Sequence, residues 1–352
     1  MRWTAAPREF GLDMNRNFPA NWKRFSMFGM DGGDYPLSEP ESRSLLETFR
    51  ARPRIAAAVT NHTYTGCILT QPYRKDTPLG DPDIRLMESL AKQAIEGTGY
   101  RSFRTYPDFM YDPKVSIVGV WSDTLSTTFG VPGYTLELWN PTGHAGLEVK
   151  KPIDFFMRPE PEMIRELLAT FAADPEGWRA WTAFDHPQLG AVEIGGLEYL
   201  RTVRNPPVKL LAAECERGFT VADRVRRSAP EVEASLSVEV LGDDLRAVTL
   251  TLENTGFLPT SALALAESIG VAPAPSATLR CGDGAALVEG TPTRTLTHLD
   301  GWGQLQISHA NFIYAGLPDR GHRAWTRWLI RGDGPVTVRW DAARGGQGDL
   351  EA

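Results

Sequence analysis

The chain has 352 residues, 42% of them hydrophobic and 23% charged, with a formal net charge of −7. That length predicts two domains rather than one core, and the acidic balance argues against general nucleic-acid binding, which needs a basic face. The three cysteines, Cys67, Cys215 and Cys281, form no CxxC pair, so neither a thiolate zinc site nor a disulfide framework is expected.

In chain order, residues 1–30 read as loop. Ser38-Glu39-Pro40-Glu41 has the capping-box pattern, with Ser38 placed to cap the amide three residues on and Glu41 to reach back. Leu45, Leu46 and Phe49 then give a helical stripe that Pro53 stops. Residues 55–60 are a short apolar run between breakers, predicted as a buried strand that ends at Asn61-His62. Residues 67–70 predict another strand. Asp81-Pro82 opens a helix with Ile84, Met87, Leu90, Ala91, Ala94 and Ile95 at helical spacing, ended by Gly97 and Gly99. A short helix over 121–129, a strand over 133–139 and a helix over 161–172 follow. Helices alternating with short apolar strands predict an α/β domain, assigned to 1–178. Residues 178–207, rich in Trp, Gly and Pro, read as a packed linker, with the linker assigned to 179–230. Beyond Glu231 the period becomes two: Leu236, Val238 and Val240, a Gly242-Asp243-Asp244 turn, then Val248, Leu250 and Leu252 predict a hairpin with one buried face. Leu305/Ile307 and Val336/Val338/Trp340 repeat that pattern, so residues 231–345 are expected to form a small β-sandwich. Met1-Arg2-Trp3-Thr4 lacks an apolar leader-like run, and no stretch reaches membrane-span length. A soluble protein is expected, with a reduced, cytoplasmic compartment favoured and no membrane partner.

Three short stretches carry the chemistry. In Gly11-Leu12-Asp13-Met14-Asn15-Arg16-Asn17-Phe18-Pro19, Arg16 beside two asparagines offers a planar fork of donors to a carboxylate; the alternative is a surface arginine in a polar loop. In Asn61-His62-Thr63-Tyr64-Thr65-Gly66, His62 lies past a strand's C-terminal end, where sites of open α/β sheets gather; the alternative is a satisfied, partly buried histidine. In Tyr134-Thr135-Leu136-Glu137-Leu138-Trp139, the acid is flanked by apolar residues, which weakens the alternative of a Glu on the solvent face. Its burial raises its pKa unless it is paired, which makes Glu137 a candidate general base.

Together, in this order, these stretches resemble zinc carboxypeptidases of the carboxypeptidase A type, which share an N-R-N-F loop, a strand ending in an H-T-Y-S-G-like segment and a later T-x-E-L strand. Tyr35-Pro36-Leu37-Ser38-Glu39-Pro40-Glu41 resembles a further family segment. Phe184-Asp185-His186-Pro187-Gln188-Leu189-Gly190 and residues 253–260 resemble bacterial members with an appended C-terminal β domain. The resemblance implies an incomplete carboxypeptidase-like mixed-sheet α/β/α domain followed by a small β-sandwich. It implies hydrolysis of a C-terminal peptide bond through a zinc-bound water. His62 would be the third zinc ligand and Glu137 the general base. Asn15 and Arg16 would hold the substrate's free C-terminal carboxylate, and Tyr111 would correspond to a substrate-capping tyrosine. Ser122 and Asp123 fall near the position that sets side-chain preference.

The family's first two zinc ligands lie in an H-x-x-E motif before the N-R-N-F loop. None of the six histidines here has Glu three residues on. The expectation is one zinc ion with two of its three protein ligands absent, and a chain without activity as it stands. An N-terminal cut is favoured over loss of catalysis, because Asn15, Arg16, His62 and Glu137 are intact. Two alternatives remain: a non-catalytic peptide- or cell-wall-binding protein, and a zinc amidase of acylated amino acids or cell-wall peptides.

Overall fold

The computed structural model describes residues 12–24, 26–27, 30–112, 115–307 and 321–352. A 3-10 turn at Met14–Arg16 precedes a two-stranded pair, β1 (Ser26–Met27) and β2 (Met30–Asp31). Then come α1 (Pro40–Arg50), β3 (Ala58–Thr63), β4 (Cys67–Thr70), α2 (Asp81–Ile95), β5 (Arg101–Arg104), α3 (Thr105–Asp108), α4 (Trp121–Thr128) and β6 (Gly133–Leu138). Helices α5 (Pro141–His144), α6 (Pro152–Met157) and α7 (Pro161–Ala172) follow. The sheet order is β3-β6-β4-β5, with β6 parallel to β3 and antiparallel to β4, and β4 parallel to β5. This is the mixed-sheet α/β arrangement expected.

The predicted helical spacing in α2 works as read. Ile84, Met87, Leu90, Ala91 and Ala94 are buried in one cluster with Ile68, Tyr134 and Leu136 of the sheet. Each such large side chain contributes about 1.5–3 kcal/mol on burial. The first four residues of β6 are all buried, as befits an inner strand covered on both faces.

The chain continues through β7 (Trp178–His186), β8 (Gly190–Leu197), α8 (Val208–Arg227), β9 (Val232–Val240), β10 (Leu245–Asn254) and α9 (Ala264–Ser268). It ends with β11 (Ser276–Cys281), β12 (Ala286–Leu287), β13 (Thr293–Thr295), α10 (Trp302–Ile307), β14 (Arg323–Arg331), β15 (Val336–Asp341) and β16 (Gln347–Glu351). Two antiparallel sheets, β12-β14-β10-β9 and β13-β11-β15-β16, bury alternating residues against each other. Val248, Leu250 and Leu252 meet Leu279, Val336 and Val338 there, the inward-facing set of a sandwich.

Several expectations are corrected. Ser38 does not cap α1: its hydroxyl is bonded to the Asn17 amide and to Glu39, and Glu39 is the N-cap residue, without a side-chain cap. The strand expected over 55–60 runs instead over Ala58–Thr63, because pairing with β6 continues through polar Asn61, His62 and Thr63. The stretch read as a packed linker is an antiparallel hairpin, β7-β8, whose residues are mostly exposed, followed by the 20-residue helix α8. Leu305 and Ile307 lie in helix α10, not in a strand; two residues at spacing two are too few to fix a period. The last strand, β16, runs past residue 345. Among the described residues no helix is long and apolar enough to cross a membrane.

Candidate active site

His62 on β3 and Glu137 on β6 are direct register partners in the parallel pair. Equal register in neighbouring strands puts both side chains on the same face of the sheet, and His62 Nδ1 lies 4.0 Å from Glu137 Oε1. On its other side Glu137 is opposite Cys67 of β4. That thiol lies 3.1 Å from Thr65 Oγ1, and burial pushes it up to about 12, which leaves it a neutral wall rather than a nucleophile.

Burial pushes the Glu137 carboxyl up to about 7, and the charges of Arg204 and Arg16 pull against that rise. The His62 imidazole is held below its ordinary value, first by burial; Asp13 opposes this, while Arg16 and Arg204 add to it. A neutral imidazole and a half-ionised carboxyl therefore face each other near neutral pH.

The N-R-N-F loop folds onto this pair. Asp13 caps the 3-10 turn by accepting the Asn15 N–H at 3.0 Å. Asn15 Oδ1 accepts the Trp121 N–H at 2.8 Å, and its Nδ2 lies 3.4 Å from His62 Nε2. Asn15 thus ties the turn to the start of α4 and to the imidazole. Arg16 is buried; its Nη1 donates to its neighbour's carbonyl, Asn15 O, at 2.7 Å, and its Nε lies 3.9 Å from Asp13 Oδ2. The Tyr111 side chain reaches Arg16, and burial pushes its hydroxyl up while Arg16 draws it down. Asn15, Arg16, Tyr111, His62 and Glu137 are therefore brought together.

The second asparagine of the motif is structural. Asn17 donates to Gly32 O and Ser38 Oγ and accepts the Glu39 N–H, which locks the loop to the start of α1. Gly119, at φ +63°, packs on the Arg16 backbone so closely that a Cβ would stand 2.3 Å from Arg16 O. Ser122 and Asp123 are both buried and hydrogen-bonded: Ser122 Oγ lies 2.5 Å from Tyr73 Oη and 2.9 Å from Thr135 Oγ1, and Asp123 Oδ1 accepts from Gln71 Nε2 at 2.8 Å.

Two residues of this region were not legible as site residues. Arg204 has its guanidinium 5.7 Å above the Tyr64 ring and acts electrostatically on both His62 and Glu137. Glu214 on α8 accepts the Trp139 N–H at 2.6 Å, two residues after Glu137. Both come from the stretch read as linker, and no local motif marks either.

A catalytic zinc takes three protein ligands and an open position. Among the described residues no group of three His, Cys, Asp or Glu stands close enough to hold a metal ion. His62 with Glu137 does not by itself fit the ion.

Residues 1–173 match the family model for zinc carboxypeptidase, and residues 232–351 match a domain of unknown function, DUF8731. Among curated proteins nothing matches. Among solved structures, thrombin activatable fibrinolysis inhibitor is 21% identical, with 46% of this chain and 41% of that one covered and a TM-score of 0.31. The bovine inhibitor in complex with tick carboxypeptidase inhibitor is 20% identical, with 46% and 56% covered and a TM-score of 0.31. Beta-glucosidase 3B from Thermotoga neapolitana, in complex with glycerol, is 13% identical, with 35% and 16% covered and a TM-score of 0.16. The chain thus spans less than two thirds of the length of either inhibitor chain. With the N-R-N-F loop, the histidine strand and the glutamate strand in family order and folded into one site, residues 1–173 belong to the zinc carboxypeptidase family.

Proposed function

We propose that this chain carries the carboxylate-recognition and general-base part of a metallocarboxypeptidase site, built for hydrolysis of a C-terminal peptide bond. The observation that supports this reading is the His62–Glu137 pair lying directly beside the Asn15–Arg16 turn. Arg16 and Asn15 hold the terminal carboxylate of a peptide, with Tyr111 beside them. That anchoring restricts the scissile bond to the last residue. Glu137, poised near neutrality, takes a proton from the attacking water and returns it to the departing amine. A catalytic zinc needs three protein ligands, and the described residues offer it one imidazole.

That shortfall favours a second reading for the 352 residues alone: peptide binding without turnover. The test is fluorescence anisotropy with a labelled peptide carrying either a free carboxylate or a C-terminal amide. The free acid is expected to bind about tenfold or more tightly, the scale of a charge-assisted contact, and Arg16→Gln is expected to erase the difference. Equal binding of both peptides overturns the carboxylate clamp. Adding zinc to the same protein is expected to release no C-terminal residue; chelator-sensitive release overturns that part. Peptide binding that survives both chelation and Glu137→Gln favours the second reading.

A further inference from the structure

The backbone around Arg204 is fastened to the strand that carries Glu137. Trp139 donates its indole N–H to Thr202 O at 2.6 Å, and Thr202 and Val203 are buried. The Arg204 N–H donates to Tyr199 O at 3.0 Å, and the Tyr199 hydroxyl acts on that of Tyr64. On this fixed backbone Arg204 itself is exposed, with its guanidinium carbon 5.7 Å from the centre of the Tyr64 ring. No hydrogen bond or ion pair of that guanidinium is found among the described residues. Stacking engages only the flat face of a guanidinium and leaves its in-plane N–H donors directed outward. A cation held in this way, at the rim of a site and acting on Glu137 only through space, keeps its N–H donors for an anion from outside.

The direction of the peptide follows from the two arginines. This step rests on the reading of Arg16 as the clamp for the terminal carboxylate. Asn15 meets the Nε2 edge of His62 and Glu137 faces the Nδ1 edge. Arg16 comes from the turn on the Asn15 side, whereas Arg204 stands over the Tyr64 ring, and the charges of both act on Glu137. With the terminal carboxylate at Arg16 and the scissile bond at Glu137, the remainder of the peptide leaves past Tyr64. We infer that Arg204 is a second anion-recognition residue, which selects peptides bearing an acidic side chain immediately before the C-terminal residue.

The experiment compares two labelled peptides that differ only in Glu or Gln at the penultimate position, both with free C-terminal carboxylates, by anisotropy against the 352-residue protein. The wild type is expected to prefer the Glu peptide about fivefold at low salt, with the preference shrinking as salt rises. Arg204→Gln should remove the preference, so that the Glu and Gln peptides bind equally. Arg16→Gln should weaken both peptides by the same factor and keep the preference. Equal affinities in the wild type, or a preference that persists in Arg204→Gln, overturn the role of Arg204 and leave the clamp standing. Failure of the wild type to bind either peptide overturns both. If Arg204→Gln does not fold, the salt series on the wild type decides, and a preference indifferent to salt overturns the proposal.

Discussion

Glu137 sits on an inner strand between its register partners His62 and Cys67, where burial leaves an ionised carboxyl poorly solvated. Its folded-state pKa of about 7 stands above the ordinary 4.5 because burial disfavours the charge more than Arg204 and Arg16 favour it. The folded protein therefore binds this proton more tightly than the unfolded chain does. The stabilising contribution is complete below about pH 4.5 and is lost as pH rises through 7, an effect of about 3 kcal/mol. Glu137→Gln stays neutral throughout. The stability of wild type minus that of the variant is expected to fall by that amount between the two values and to be flat above about pH 8. Urea unfolding of both proteins at stepped pH measures this. His62 has the opposite sign, since its lowered pKa makes the folded state shed a proton, and it largely cancels in the difference. A difference that does not change with pH would show that Glu137 is not desolvated.

Helix α8 determines how the strand that carries Glu137 ends. Glu214, Gly218, Val221 and Val225 form its buried face, at the i, i+4, i+7, i+11 spacing of an apolar stripe. Gly218 receives Leu138, and a Cβ there would stand 2.9 Å from Leu138 Cδ2. Glu214 accepts from the Tyr100 hydroxyl and the Trp139 N–H and pairs with Arg217 at 2.8 Å. Glu214→Ala strands two buried donors and is expected to cost about 3 kcal/mol in urea unfolding, with Glu214→Gln milder because it keeps an acceptor for Trp139. A loss under about 0.5 kcal/mol, the size of an ordinary surface change, would show that α8 does not hold the strand. The same helix explains what could be read in the sequence and what could not. Asn15, Arg16, His62 and Glu137 were legible because each lies in a short string whose chemistry is local. Helix α8 was not, because a carboxylate and a glycine occupy half of its core positions and the hydrophobic period is hidden. The capping box at Ser38 misled for the converse reason: a good local pattern lost to Asn17, which claims the hydroxyl from the preceding loop.

At the scale of the molecule, the sandwich half and the α/β half share one interior. Leu258, Leu263 and Leu265 belong to the same buried cluster as α2 and β6. Asp83 of α2 accepts the Ala264 and Leu265 N–H groups at 2.8 and 3.0 Å, amides in the first turn of α9 that have no partner within that helix. Arg344 reaches back from the sandwich end. It is buried, donates to Ile55 O and, at 2.8 Å, to Phe129 O, and also meets Ser261 O at 3.2 Å. Burial pulls its guanidinium down to about 10, so it stays charged at neutral pH and its charge depends on those carbonyls. Shared apolar contacts and a buried cation spanning both halves should make unfolding cooperative. Calorimetry is expected to give one peak whose calorimetric and van't Hoff enthalpies agree. Arg344→Met removes donors from three carbonyls and is expected to destabilise by about 2 kcal/mol, lowering that single peak by several degrees. Two separate peaks in the wild type would mean that the halves unfold independently. A variant peak at the wild-type temperature would mean that Arg344 does not join them, and that the apolar cluster alone does.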